Sequence, residues 1–180
     1  MRALRCVYPK ESSFLDQTKV SVEFSLNETY FTATFEVTAP YQTTNPALSK
    51  SASQWGLWEW DVVEIFIAPH LANEKPAKYF EFNVSPLGQF FELEIFRPRV
   101  DFNKNFRSGF IPKVSVVENK WTATLAIALT AIGFKKGMTV SGNAFACLGK
   151  ESERTYWSLF TPLQEQPDFH ILEHFKPLLY

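Results

Sequence analysis

Apolar and polar residues alternate with a period of two along most of the chain, in short runs rich in Val, Ile, Phe, Tyr and Thr. Runs of this kind predict half-buried β-strands. The pattern places strands at 19–26, 30–38, 61–68, 78–85, 89–96, 112–117, 121–129 and 138–148, with a further one at 155–160. Asn27-Glu28 and Leu87-Gly88 separate adjacent runs as hairpin turns do, so those neighbours are expected to pair antiparallel. Helical period is weak: residues 130–134 make one turn at most, and no window keeps an amphipathic repeat over three turns. Many short strands without crossover helices exclude an α/β sheet and leave a sandwich or a barrel. The expected class is all-β, an antiparallel β-sandwich of jelly-roll type with little helix. No repeat or linker divides residues 1–180, which read as one domain.

Composition adds limits rather than a fold. A chain of 180 residues, 46% hydrophobic and 16% aromatic, with eighteen Phe against two Met, must fill its interior with rings. A net charge of −1 supplies no basic field for a nucleic-acid backbone. Apolar runs are broken too often to span a bilayer, and the first ten residues lack the apolar core of a signal peptide, so a cytoplasmic protein without a membrane role is expected. Cys6 and Cys147 are read as reduced thiols on the same compartment argument.

The densest chemical signal is Trp55-Gly-Leu-Trp58-Glu-Trp60-Asp61-Val-Val-Glu64-Ile-Phe-Ile-Ala68, preceded by the Thr-, Ser-, Asn- and Pro-rich stretch 41–54, which reads as a long surface loop. Any one of these tryptophans could be core. Three within six residues at the start of an alternating strand cannot all point inward, so at least one ring is expected at the surface. Downstream, Tyr79, Glu81, Asn83 and Ser85 alternate with Phe80, Phe82 and Val84, and Glu92 and Glu94 alternate with Phe91, Leu93 and Ile95. This predicts one polar, acidic sheet face, solvated or built for a ligand. A flat ring beside carboxylates and amides suits a sugar, whose C–H face stacks on the ring and whose hydroxyls need hydrogen-bond partners.

These residues resemble a known family. Trp58-Glu-Trp-Asp61-Val-Val-Glu64-Ile-Phe-Ile is similar to the signature of family 9 carbohydrate-binding modules. Tyr79-Phe-Glu-Phe-Asn83, Trp121-Thr-Ala-Thr-Leu-Ala-Ile-Ala128 and Phe169-His-Ile-Leu-Glu-His-Phe175 follow in the family's order, so the likeness runs from about Asp16 to the C-terminus. The resemblance implies a β-sandwich that grips a saccharide between two aromatic rings, without catalysis. Trp58 takes the place of the first ring and Phe169 that of the second, while Glu64 takes the place of the carboxylate. Glu81 stands at a basic position of the family, Phe145 at a glutamine and Gln166 at an asparagine. The implied site is therefore Trp58, Glu64, Glu81, Asn83, Arg97, Gln166 and Phe169. No cofactor is expected, though the resemblance allows a structural calcium, for which Asp61, Asp101, Asn103 and Glu28 offer oxygens.

Rival readings use the same residues. The Trp patch could dock a protein partner or a second copy of the chain. A glycoside hydrolase would need two carboxylates about 5 to 10 Å apart, which Glu64, Glu81, Glu92 and Glu94 could supply, but no nucleophile or phosphate-loop signature accompanies them. His170 and His174 lack the helix or Cys partners of a zinc site. Met138 and His70 are the sole candidate pair for haem, with nothing to mark a pocket between them.

Overall fold

A computed structural model describes residues 1–8, 15–39, 42–160 and 168–179. It consists of two antiparallel sheets packed as a sandwich. The smaller sheet joins β1 (Arg2–Ala3), β3 (Lys19–Leu26), β4 (Tyr30–Thr38), β10 (Lys120–Ala128) and β9 (Lys113–Val117), in that spatial order. The larger runs β2 (Arg5–Tyr8), β12 (Thr155–Ser158), β11 (Met138–Leu148), β5 (Val62–Leu71), β6 (Tyr79–Val84), β7 (Phe90–Arg97), β8 (Asp101–Asn103). Its last member, β13 (Lys176–Pro177), also pairs with β11. The expected strands are all present within three residues of their expected ends, and both expected hairpins pair antiparallel. Residues 130–134 form only turns.

The inter-sheet core is the alternating apolar set: Phe31, Phe35, Trp121, Leu125 and Ile127 from the small sheet meet Val63, Ile65, Phe80, Phe82 and Trp157 from the large one. A second apolar cluster lies on the opposite, outer face of the large sheet, where Phe66, Tyr79, Phe91, Leu93, Ile95, Phe145 and Cys147 are buried. An antiparallel sheet commonly leaves that side to water. Here the chain covers it, with the 42–61 segment from one side and residues 168–175 from the other.

This arrangement corrects the expected acidic face. Glu92 pairs with Phe82 and Glu94 with Phe80, so both glutamates share the inter-sheet side at the sheet's edge, while Glu81 and Asn83 pair with Leu93 and Phe91 on the outer side. Glu92 is 1% exposed and accepts from the backbone N–H and hydroxyl of Ser108 at 2.9 and 2.6 Å. Glu94 is held by Lys78 at 2.6 Å and Asn103 at 3.1 Å. These acids close the sandwich edge, and only Glu64 and Glu81 remain for the outer face.

The long loop is pinned rather than free. The Gln89 side-chain amide donates to the carbonyls of Asn45 and Leu48 at 2.6 and 3.1 Å, and Gln54 donates its backbone N–H to Phe90 at 2.8 Å. Because the loop is fixed to β7, it delivers the tryptophans to the outer face in one position.

Candidate functional site

The tryptophans do not lie on a strand. Gly56, at a left-handed φ of 85° that glycine adopts without strain, opens a single 3-10 turn over Leu57–Glu59, and β5 begins only at Val62. The turn buries Leu57 and leaves Trp55 54% exposed, with Trp58 and Trp60 half-buried. Arg154 fixes it from below. One guanidinium nitrogen donates to Gly149 at 2.6 Å and to Glu59 at 3.3 Å, and the other donates to the carbonyls of Trp58 and Trp60.

The opposite wall comes from three successive residues, each tied to a different strand or loop. Asp168 accepts from Arg99 at 2.6 Å. Phe169 stacks on Phe145 at 4.0 Å and 11°. His170 shares a hydrogen bond of 2.9 Å between Nδ1 and the Tyr79 hydroxyl.

Between these walls lies a cavity of about 320 Å³, at the small end of the range for small-molecule sites. Trp55, Trp58, Phe91, Phe102, Tyr156 and Phe169 give it aromatic sides. Glu64 and Glu81, on adjacent strands, lie in its floor at 2% and 5% exposure. Among the described residues Glu64 accepts only from the Cys147 thiol, at 3.5 Å. Glu81 accepts from the Asn83 amide at 3.0 Å, and its other oxygen stands 4.0 Å from His170 Nε2.

Burial dominates the charge state of this floor. Desolvation pushes Glu64 up to about 7, against a small opposing pull from Cys147 and Arg154. Desolvation and repulsion by Glu64 push Glu81 up to about 8. His170 moves the other way, down to about 4, because burial and the nearby Arg99 disfavour its cation. With His170 neutral and Glu81 protonated near pH 7, their contact is not an ion pair.

Four of the seven residues expected at the site, Trp58, Glu64, Glu81 and Phe169, line this one cavity. Asn83 is fully buried behind it, orienting Glu81 through its amide. Arg97 does not reach it: it is exposed at the end of β7 and sits 3.7 Å from Asp101, while Arg99, within the turn that follows, takes the wall position. Gln166 lies outside the described residues. Sequence reading missed Tyr156, Cys147, Arg99, Asp168 and His170. The alternation of β11 and β12, which puts Cys147 and Tyr156 opposite each other, could have signalled two of them.

The calcium donors do not form one set. Asp61 is buried against Thr43 and Gly149, Asp101 and Asn103 belong to the edge strand β8, and Glu28 is in the β3–β4 turn of the other sheet. Among the described residues no group of three or more His, Cys, Asp or Glu is placed to hold a metal ion. Both ring nitrogens of His70 are taken, by Leu71 and Ser141 at 2.8 Å each. Neither Cys6 nor Cys147 is joined in a disulfide among the described residues. Among the described residues no helix is long and apolar enough to cross a membrane.

No family model matches the chain. The UPF0462 protein C4orf33 homolog of Rattus norvegicus is 30% identical over 153 residues, which cover 81% of this chain and 72% of that protein. The chain belongs to the UPF0462 family. The human UPF0462 protein C4orf33 is 28% identical over 149 residues, covering 78% of this chain and 70% of the human one. Solved structures show what fold this UPF0462 member has. A Bacteroides uniformis protein, whose carbohydrate-binding role is itself an assignment, superposes with a TM-score of 0.76 at 17% identity, over 97% of this chain and 83% of that one. A family 9 carbohydrate-binding module of Caldicellulosiruptor kristjanssonii in complex with glucose gives 0.62 at 15% identity, over 96% and 82%. The module in complex with cellotriose gives 0.55 at 14%, over 87% and 73%. The UPF0462 chain thus has the fold of family 9 carbohydrate-binding modules.

Proposed function

We propose that the protein binds a saccharide in the outer-face cavity and does not transform it. The observation that carries this reading is the pairing of aromatic walls with a floor of two buried carboxyls whose outer oxygens have no hydrogen-bond partner among the described residues. Trp58 and Phe169 line the two sides and offer flat rings to the C–H faces of a sugar, while Glu64 and Glu81 offer both donors and acceptors to its hydroxyls. Neighbours of the same fold bound to glucose and cellotriose support the choice of ligand class. The concave shape favours a small ligand over a flat protein-docking surface. A non-catalytic role is favoured because Glu64 and Glu81 stand side by side in one floor. Hydrolysis asks for an acid and an ionised partner flanking the scissile bond.

The test is Trp58→Ala with a glycan array and titration calorimetry. The ring is half-buried at the cavity wall, where its contacts with Trp55 at 5.0 Å and Phe91 at 5.2 Å lie outside the inter-sheet core. The variant is expected to fold and to lose about 1 to 3 kcal/mol of binding. Unchanged affinity in a folded variant would remove Trp58 from the site.

A further inference from the structure

Resting on the saccharide reading, we infer that the sugar this cavity selects carries a protonated amine, seated between Glu64 and Glu81. The floor holds two carboxyl groups and, among the described residues, no cation of its own. Among the described residues neither glutamate forms an ion pair with Lys or Arg, and each is almost fully buried.

Among the described residues, the cations around the floor are otherwise engaged. Arg154, the one whose charge is felt at Glu64, bonds the carbonyls of Trp58, Glu59, Trp60 and Gly149. Arg99 is bound to Asp168, and Lys104 lies outside, 3.7 Å over the Trp55 ring. His170 and Tyr79 engage each other, and the Cys147 thiol touches Glu64 as a weak donor. A carboxyl pair buried without a counter-charge is costly to ionise. Neutral hydroxyls do not remove that cost, whereas an ammonium between the two oxygens does. The walls favour the same charge, since Trp58 and Phe91 line the cavity and a desolvated ammonium gains most from aromatic neighbours.

The amine therefore enters as a cation, and the floor gives up one proton to receive it. The proton balance is simple: one ammonium offsets one carboxylate, so a floor with both carboxyls neutral in the free protein releases one proton to buffer as the ammonium binds, and the second carboxyl keeps its own. An alkyl ammonium without hydroxyls would gain the same charge pairing, so the floor and the sugar contacts can be tested apart.

Titration calorimetry at pH 7 would compare methyl glycosides bearing a free amine at C2, C3 or C6 with their N-acetylated and hydroxyl counterparts, each in two buffers of different ionisation enthalpy. The best amine is expected to bind at least about tenfold more tightly than its neutral counterparts. Its heat should differ between buffers, reporting proton release. The Glu64→Gln/Glu81→Gln variant should erase both differences. Equal affinity for amine and hydroxyl forms would overturn the inference and leave the saccharide reading standing. Cyclohexylammonium and cyclohexanol serve as probes without sugar contacts. If no glycoside binds but the ammonium outcompetes the alcohol, the charged floor is upheld and the saccharide reading is lost. Failure of all of them sinks both.

Discussion

Between pH 6.5 and 8 the folded protein should lose stability steeply, and the Glu64→Gln/Glu81→Gln variant should not. The sign follows from which state holds the protons. Unfolded, both carboxyls titrate near 4.3. Folded, they keep their protons up to about 7 and about 8. Through the interval between, the native state binds more protons than the unfolded chain, so stability falls as pH rises, by up to about 1.4 kcal/mol per pH unit for each group. The contribution is fully present below about pH 4.3 and gone above the folded values. Asp61, raised by burial, acts in the same direction. His170 opposes them. Lowered to about 4, it stays neutral when folded while the unfolded imidazole charges below about 6.5, so its contribution falls as pH drops through that range. His170 therefore offsets one of the two glutamates in mildly acidic solution, so the net decline is steepest near about pH 6.5 and slackens toward pH 8 as first Glu64 and then Glu81 ionises. Urea midpoints at half-unit pH steps would measure it. A wild-type profile that is flat or rising from 6.5 to 8 would show that the pair is already ionised, with a counter-charge in place.

The sandwich was legible because alternation fixes which residues can share a side, and Phe31, Phe35, Val63 and Ile65 obey it without exception. What alternation left open was the side on which a polar set falls. Glu81 and Glu92 both read as polar positions between apolar ones, and the register of β6 against β7, which pairs Glu92 with Phe82, decides that they face opposite ways. A one-residue change in pairing moves a whole set of side chains to the other face, and the sequence of the Leu87-Gly88 turn alone did not specify it. The Trp cluster pointed to the site for a reason only partly right: the rings are spread by a Gly56-led turn, not by strand alternation. Residues such as His170 and Asp168 were unreadable because their role comes from contacts with Tyr79 and Arg99 some seventy to ninety positions away. Short strands at the ends, Arg5–Tyr8 and Lys176–Pro177, carry too few residues to show a period.

The shortest of these strands leads to the second large effect. Gly142→Ala is expected to destabilise the protein by about 3 kcal/mol or more, at the upper end of what overpacking costs. A Cβ built on Gly142 would lie 1.9 Å from the Phe66 carbonyl oxygen on β5 and 3.0 Å from Leu178 Cδ1. The first contact is with backbone, which no rotamer change can relieve. Gly142 is also where β11 pairs with Lys176 of β13, while its other neighbour, β5, presents Phe66 to the cavity. A methyl group there pushes on both at once. The β13 clasp holds the end of the segment that carries Phe169 and His170 over the floor. Displacing it should therefore widen the gap between the Trp58 and Phe169 walls even in molecules that remain folded. Chemical denaturation would report the lost stability. Tryptophan fluorescence under fully native conditions would report the wall, since Trp55 and Trp58 both line the cavity. A variant as stable as the wild type would mean that β11 and β5 stand further apart at this point than the close approach at Gly142 requires.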